Sequence, residues 1–229
     1  MLKTLVIIPA YNEEMNIEKV IRDIKENAPE VDYLIVNDGS KDNTLGLVRE
    51  KGFDCIDSFA NLGLWGAVQT GFKYACNHSY DVAIQFDGDG QHKAAYIKTL
   101  VDEVEKGSNI VIGSRFATQK KPMSARMMGS RLISFAIALT TGKRVNDPTS
   151  GMRAYDRITM NDYATDMNNP PEPDTLVHMM KKKRIVKEVQ VEMDDREFGE
   201  SVFNVSHTIN YMCRMLISIF LIQPFRKVK

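Results

Sequence analysis

Cysteine is scarce in this chain, and the three present, Cys55, Cys76 and Cys213, are far apart, odd in number and outside any Cys-x-x-Cys pair. That argues against a disulfide framework or a zinc ribbon and fits reduced, packed thiols in a cytoplasmic protein. Charge of one sign is lacking too, since 30 basic side chains offset 30 acidic ones. A broad basic surface for nucleic acid is thereby excluded, and with 43% hydrophobic residues so is disorder. Eight prolines and 14 glycines are too few for a low-complexity or collagenous chain. No apolar run approaches the roughly 18–20 residues that span a bilayer. The run that opens the chain is closed by Pro9, too early for the core of a signal peptide, and reads as a buried first strand. What remains is an ordinary globular composition, and 229 residues suffice for one domain with a full core.

Short apolar runs alternate with amphipathic stretches through the first half. Leu5–Ile8, Tyr33–Val36, Val82–Phe86 and Ile110–Ile112 are continuous, β-branched-rich runs, as expected of strands buried on both faces of a parallel sheet. Ile17, Val20, Ile21 and Ile24 recur at spacings of three and four, which predicts a helix between the first two. This order predicts an α/β fold, a mostly parallel central sheet flanked by helices. Ligands bind such sheets beyond the carboxyl ends of the strands. The segments found there are Pro9-Ala-Tyr-Asn-Glu-Glu14, Asn37-Asp-Gly-Ser40, Asp87-Gly-Asp-Gly-Gln-His92 and Gly113-Ser-Arg115. Each carries a carboxylate or an arginine beside small or turn-forming residues.

Asp87 and Asp89, one residue apart, can together hold a hard divalent cation, Mg²⁺ or Mn²⁺, whose other positions go to phosphate oxygens and water. An isolated Asp-Gly-Asp is as readily a solvated turn. Here it follows a buried run and shares its predicted sheet edge with other polar strand ends, which favours the ion. Asp38 can accept hydrogen bonds from a nucleobase or ribose while Gly39 permits close approach; the alternative is a turn in which Ser40 or Asp42 caps the next helix. Glu13 either meets a ribose or favours a helix N-terminus electrostatically.

Taken in order, Pro9-Ala-Tyr-Asn-Glu13, Val36-Asn-Asp-Gly-Ser-Lys-Asp-Asn-Thr44, Asn61-Leu-Gly63, Asp87-Gly-Asp-Gly-Gln-His92 and Gly113-Ser-Arg115 resemble the motifs of family 2 glycosyltransferases with the GT-A fold. Asp147-Pro-Thr-Ser-Gly-Met-Arg-Ala-Tyr155 and Arg196-Glu-Phe-Gly-Glu-Ser201 are similar to blocks of the polyprenyl-phosphate sugar transferases, the dolichol-phosphate mannosyltransferase-like branch. The resemblance covers residues 1–201 and implies a GT-A domain in which 1–116 bind a nucleotide sugar and 117–201 face the acceptor. It implies that Pro9, Ala10, Tyr11, Glu13, Asp38, Gly63, Asp87, Gly88, Gln91 and Arg115 surround the nucleotide sugar. Asp87 and Asp89 match the family's Mg²⁺ or Mn²⁺ site, Asp89 and Asp147 are its candidate catalytic carboxylates, and Arg126, Arg131 and Arg196 match residues that hold the acceptor phosphate. Leu64-Trp65 departs from the family, which is often smaller or basic there. Several relatives continue into transmembrane helices, which this sequence is expected not to do.

A phosphate monoester is already largely dianionic near neutral pH, so as an acceptor it needs positioning more than the general base that a sugar hydroxyl requires. The planar fork of arginine suits that task, and Arg115, Arg126, Arg131, Arg153 and Arg196 lie after or between predicted elements. Asp147 reads equally as a turn residue, an acceptor-orienting group or a base. His92, His178 and His207 lack metal-ligand spacing and read as structural. In the last segment, 202–229, apolar residues recur at helical spacing from about Val205 to Ile222, and Arg226, Lys227 and Lys229 follow. This predicts an amphipathic helix that lies in a membrane interface, or else docks on the sheet or in a dimer.

The expectation is a metal-dependent, inverting glycosyltransferase at the cytoplasmic membrane face, moving a sugar from a nucleotide sugar to polyprenyl phosphate. The resemblance leans to UDP-glucose or UDP-N-acetylglucosamine as donor; the lack of a spanning segment leads to the expectation of a small membrane protein or a second copy as partner to the C-terminal helix. The alternatives are a soluble transferase that extends a saccharide and a GDP-mannose-dependent polyprenyl-phosphate mannosyltransferase. A nucleotidylyltransferase is disfavoured, because the loop after the first strand is acidic where that chemistry needs a Gly-rich, basic one.

Overall fold

The first apolar run forms β1 (Thr4–Ala10), in which every residue except Pro9 is buried. The structure is a computed structural model that describes residues 2–123, 125–166, 170–195 and 205–227, with backbone alone at 125–126 and 205–209. After β1 come α1 (Ile17–Asn27), β2 (Asp32–Asn37), α2 (Thr44–Glu50), β3 (Cys55–Asp57), α3 (Gly63–Asn77) and β4 (Val82–Gln85). They are followed by α4 (Ile97–Glu105), β5 (Ile110–Ser114), α5 (Ala125–Thr141), β6 (Arg153–Asp156), α6 (Arg157–Thr165), α7 (Pro173–Lys181), β7 (Val186–Gln190) and α8 (Val205–Ile217).

The strands form one sheet of seven in the order β3-β2-β1-β4-β6-β5-β7, mostly parallel as the alternation predicted. Leu5 and Ile7 of β1 enter the core under α3, α5, α6 and α7, while Val6, Ile8 and Ala10 enter the core under α1, α2 and α4. A strand with both faces covered has no polar side to show, which is why its sequence is a continuous apolar run. Helix α1 buries Ile17, Val20, Ile21 and Ile24, the stripe predicted from their spacing, each worth about 1.5–3 kcal/mol of transfer free energy. Helix α3 lies so close to β1 that a Cβ on Gly71 would stand 2.3 Å from Ile7 Cγ2. That contact explains a glycine in mid-helix despite a propensity cost of about 1 kcal/mol.

Two features of topology position the site. The strand order turns back on itself between β1 and β4, so the loops after these strands flank a crevice at the carboxyl edge. Strand β6 runs antiparallel to both neighbours, pairing Arg153 with Gln85 of β4 and with Ile112 of β5. Its entry, 147–152, therefore lies at the same edge as the ends of the parallel strands.

The C-terminal segment docks on the domain. Helix α8 stops at Ile217 and a π-helical turn, Ser218–Ile222, continues it. Met215 and Ile219 are buried in the core beneath α5 and α7. Buried Asp174 of α7 accepts from Ser218 Oγ at 2.5 Å and from Gln223 Nε2 at 3.0 Å, and Lys181 Nζ donates to the Gln223 carbonyl at 3.0 Å. Ile217, Phe220, Leu221, Ile222 and Phe225 stay exposed. No helix among the described residues is long and apolar enough to cross a membrane.

Candidate active site

The loops after β1 and β2 are stitched together. Asn12, in the left-handed region at φ 58°, donates its N–H to Ser40 Oγ at 3.0 Å and accepts from the Lys41 N–H at 2.8 Å. The Glu13 N–H donates to Thr44 Oγ1 at 2.9 Å, and Glu13 Oε2 accepts from Asn16 Nδ2 at 2.7 Å. Buried Asp38 accepts the Leu62 N–H at 2.7 Å, which draws in the start of α3 beside Gly63. Gly39, at φ 68°, packs against the backbone of Ala60 and Asn61. A Cβ on Gly88 would lie 3.0 Å from the Pro9 carbonyl and 3.7 Å from Glu13 Cγ, so the ends of β1 and β4 touch. Pro9, Ala10, Glu13, Asp38 and Gly88 thus come together at one edge, with Tyr11 exposed beside them.

Asp87 and Asp89 follow β4 at that edge, both partly exposed. Asp87 Oδ2 lies 3.2 Å from His92 Nε2, and Oδ1 accepts weakly from Gln85 Nε2 at 3.4 Å. Burial works to raise the Asp87 carboxyl, but hydrogen bonds from His92 and Gln85 and the nearby Arg153 guanidinium hold it below its ordinary range. Gly151, in the entry to β6, carries no side chain where one would collide with this carboxylate: its Cβ would lie 2.0 Å from Asp87 Oδ2. Asp89 Oδ1 accepts the Gln91 N–H at 3.1 Å, and the Gln91 side chain donates to the Asp194 carbonyl at 3.2 Å.

Beyond β5 the geometry joins two residues that the sequence suggested separately. Asp147, fully buried, accepts from Arg115 Nε at 2.8 Å, Nη2 at 2.9 Å and the backbone N–H at 3.1 Å. The N–H groups of Asn146 and Asp147 donate in turn to Glu188 of β7, each at 2.7 Å. The hydrogen bonds to the Asp147 carboxylate, with its negative charge, raise the Arg115 guanidinium above its ordinary range. Arg153 is buried and gives its donors to the carbonyls of Ser150, Pro171 and Pro148 at 2.9, 2.8 and 2.6 Å. It is a structural strut for the entry to β6.

Arg131, on α5, lines a cavity of about 760 Å³ together with Lys120, Lys121 and Arg144. Phe116, Met123 and Phe135 supply its apolar wall. Lys121 Nζ donates to Ser130 Oγ at 2.8 Å, and burial pulls its ammonium below the ordinary lysine range. Arg131 Nη2 donates to the Lys121 carbonyl at 2.6 Å, which fixes the guanidinium on the cavity wall. The Arg126 side chain and all of Arg196 lie outside the described residues. Lys121 and Arg144 are not singled out in the sequence, and His92 reads there as structural. For His92 the available signal was its place five residues after Asp87.

Three comparisons bear on this arrangement. The family model described as "Glycosyl transferase family 2" matches residues 5–163. Over 164 residues the chain is 32% identical to polyprenol monophosphomannose synthase of Mycolicibacterium smegmatis, an alignment covering 68% of this chain and 62% of that protein. The chain therefore spans less than two thirds of that relative's length. It is 30% identical over 213 residues to undecaprenyl-phosphate mannosyltransferase of Micrococcus luteus, covering 87% of each. Among solved structures, glucosyl-3-phosphoglycerate synthase from Mycobacterium tuberculosis, in complex with Mn²⁺, UDP and glucosyl-3-phosphoglycerate, superposes with a TM-score of 0.72. The match has 18% identity and covers 95% of this chain and 80% of that one.

Proposed function

This chain belongs to glycosyl transferase family 2, and from that premise we propose that it transfers a hexose from a nucleotide sugar to a polyprenyl phosphate in one inverting displacement. The observation that carries the acceptor assignment is the cavity beside β5, with four cations and an aromatic-lined wall. A phosphate bearing a long isoprenoid needs cations and apolar surface together, whereas a neutral saccharide acceptor has no charge for four cations to meet. Two named relatives act on polyprenyl phosphates, which supports the same reading.

The donor occupies the crevice between the ends of β1 and β4, its nucleoside held by Pro9, Ala10, Tyr11, Glu13, Asp38 and Gly63. Asp87 and Asp89 fit Mg²⁺ or Mn²⁺: two partly exposed carboxylates one residue apart at the crevice edge offer hard oxygen ligands and leave a cation's other positions to a diphosphate and water. Bound there, the cation would supply Lewis-acid stabilisation of the departing nucleoside diphosphate. Lys121, Arg131 and Arg144 orient the acceptor phosphate, whose dianionic oxygen attacks the anomeric carbon without a general base. Asp147 is engaged by Arg115 on both carboxylate oxygens, which favours a tether over a base. Because Gly151 abuts Asp87, Gly151→Ala is expected to push the carboxylate aside and lower kcat on the order of 10²-fold, with thermal unfolding near that of the parent.

Met128, Leu132, Phe135 and Leu139 form an exposed apolar stripe on α5, the helix against which the C-terminal segment packs. With exposed Ile217, Leu221 and Phe225 and the cations that line the cavity, this surface suits an anionic membrane interface. Phe135 and Met123 belong to both the exposed surface and the cavity wall, so an isoprenoid chain has an apolar route between them.

The test is a donor panel of GDP-mannose, UDP-glucose and UDP-N-acetylglucosamine with short-chain polyprenyl phosphate in anionic liposomes, radiolabel being followed into organic extract. One donor should label the lipid in the presence of Mg²⁺ or Mn²⁺. Label appearing only on water-soluble saccharide would move the protein to the saccharide-extending class.

A further inference from the structure

His92 is almost wholly buried, yet its ring makes only one side-chain hydrogen bond in the described structure, at 3.2 Å to Asp87 Oδ2. Its other ring nitrogen, Nδ1, is buried with no partner. A carboxylate can only accept, so Nε2 carries the hydrogen and donates. The ring packs edge-on against Phe86, centroids 5.4 Å apart. Its backbone pairs in an isolated antiparallel bridge with Met193, next to the Asp194 N–H that donates to the Gln91 carbonyl at 2.9 Å. The ring is thus packed against Phe86, its backbone is anchored by the segment after β7, and its donor meets one oxygen of the first aspartate of the pair.

We propose that His92 is a positioning residue for the divalent-cation site, fixing the Asp87 carboxylate for metal and diphosphate from behind. This rests on the reading of Asp87 and Asp89 as the metal pair. An aspartate at a strand end has two soft torsions, and a ligand that must find its rotamer as the metal arrives binds it less tightly than one already held. Both observations concern Asp87 Oδ2: the missing side chain of Gly151 leaves room for this oxygen, and the His92 N–H holds it there.

The experiment is Mn²⁺ titration of the full chain with UDP present, followed by electron paramagnetic resonance of free Mn²⁺, on wild type, His92→Phe and His92→Gln. Phe keeps a ring against Phe86 but has no donor, whereas Gln places an N–H near the position of Nε2. His92→Phe should weaken Mn²⁺ binding about 10–100-fold, the range found when outer-shell partners of metal ligands are removed, and His92→Gln should recover most of it. At saturating Mn²⁺ the donor KM should stay near wild type in both, while the Mn²⁺ concentration for half-maximal rate rises in His92→Phe. Thermal unfolding in parallel identifies a variant that simply fails to fold, in which case His92→Leu, which also lacks a donor, takes the place of His92→Phe in the comparison. Equal Mn²⁺ affinity in wild type and folded His92→Phe overturns the positioning role, as does a folded His92→Gln that binds Mn²⁺ more than tenfold more weakly than wild type. A wild-type protein that takes up no Mn²⁺ in the presence of UDP overturns the metal pair itself and the proposal with it.

Discussion

Asp89→Asn is expected to lower the transfer rate by at least 10²–10³-fold, roughly the loss seen when one preorganised electrostatic group is removed from a reacting centre, while leaving the fold intact. The two halves of that expectation come from different features. Asp89 is partly exposed, and its one hydrogen bond in the described structure is to the Gln91 N–H of its own turn, which an asparagine Oδ1 accepts equally well. Nothing in the packing asks for the negative charge. The cation and the departing diphosphate do, and an amide oxygen is a weaker ligand for a hard ion than a carboxylate. Asp87→Asn is a less clean experiment, because it also disturbs the His92 contact and the carboxylate against Gly151. The check is kcat with saturating Mn²⁺ and Mg²⁺ beside a thermal unfolding curve. Turnover near wild type would remove Asp89 from the chemistry.

Much of this site was legible because of one property of parallel sheets: all carboxyl ends emerge at one edge, so polar residues after separate apolar runs converge without any knowledge of the packing. Pro9, Glu13, Asp38, Asp87 and Asp89 follow that logic, and α1 follows its apolar spacing. Strand β6 was not legible. Arg153-Ala-Tyr-Asp156 is short, begins with a buried cation, and gains its place from partners about 40 and 70 residues earlier in the chain. With β6 went everything its entry delivers, namely Gly151 against Asp87 and Asp147 under Arg115. The C-terminal segment shows a different limit. Its apolar spacing indicated a helix, but not that Asp174 on α7 would grip the turn that ends it, since a buried aspartate bonded to Ser218 and Gln223 leaves no periodic trace. The cationic cavity was half legible: Arg131 was singled out, whereas Lys121 in Gln119-Lys-Lys-Pro122 looks like any solvated loop lysine until the hydroxyls of Ser130 and Ser134 are seen around it.

Asp147 carries the second large effect, on stability. Its side chain has no solvent exposure, and it accepts three N–H groups of Arg115, itself about one quarter exposed. Asparagine at this position would turn a donor toward donors and leave the guanidinium half-buried without its counter-charge. Breaking a buried pair by removing one partner costs about 3–5 kcal/mol, far more than the pair's net worth against an apolar substitute, because the surviving charge has lost both water and partner. At roughly 2–4 °C per kcal/mol for a chain of this size, Asp147→Asn should lower Tm by about 6–20 °C. Arg115→Ala should cost at least as much, since it strands the deeper of the two charges. Combined, the two changes should cost less than their sum, because the second removes a group the first had already orphaned. Urea denaturation of the two single variants and the double variant measures this directly. The same proteins separate the roles left open for Asp147. A tether predicts that activity per folded molecule falls alike in Asp147→Asn and Arg115→Ala, through displacement of the loop between β5 and α5. A general base predicts a collapse of kcat in Asp147→Asn with Tm almost unchanged, and that result would end the tether reading and with it the case for a phosphate acceptor that needs no base.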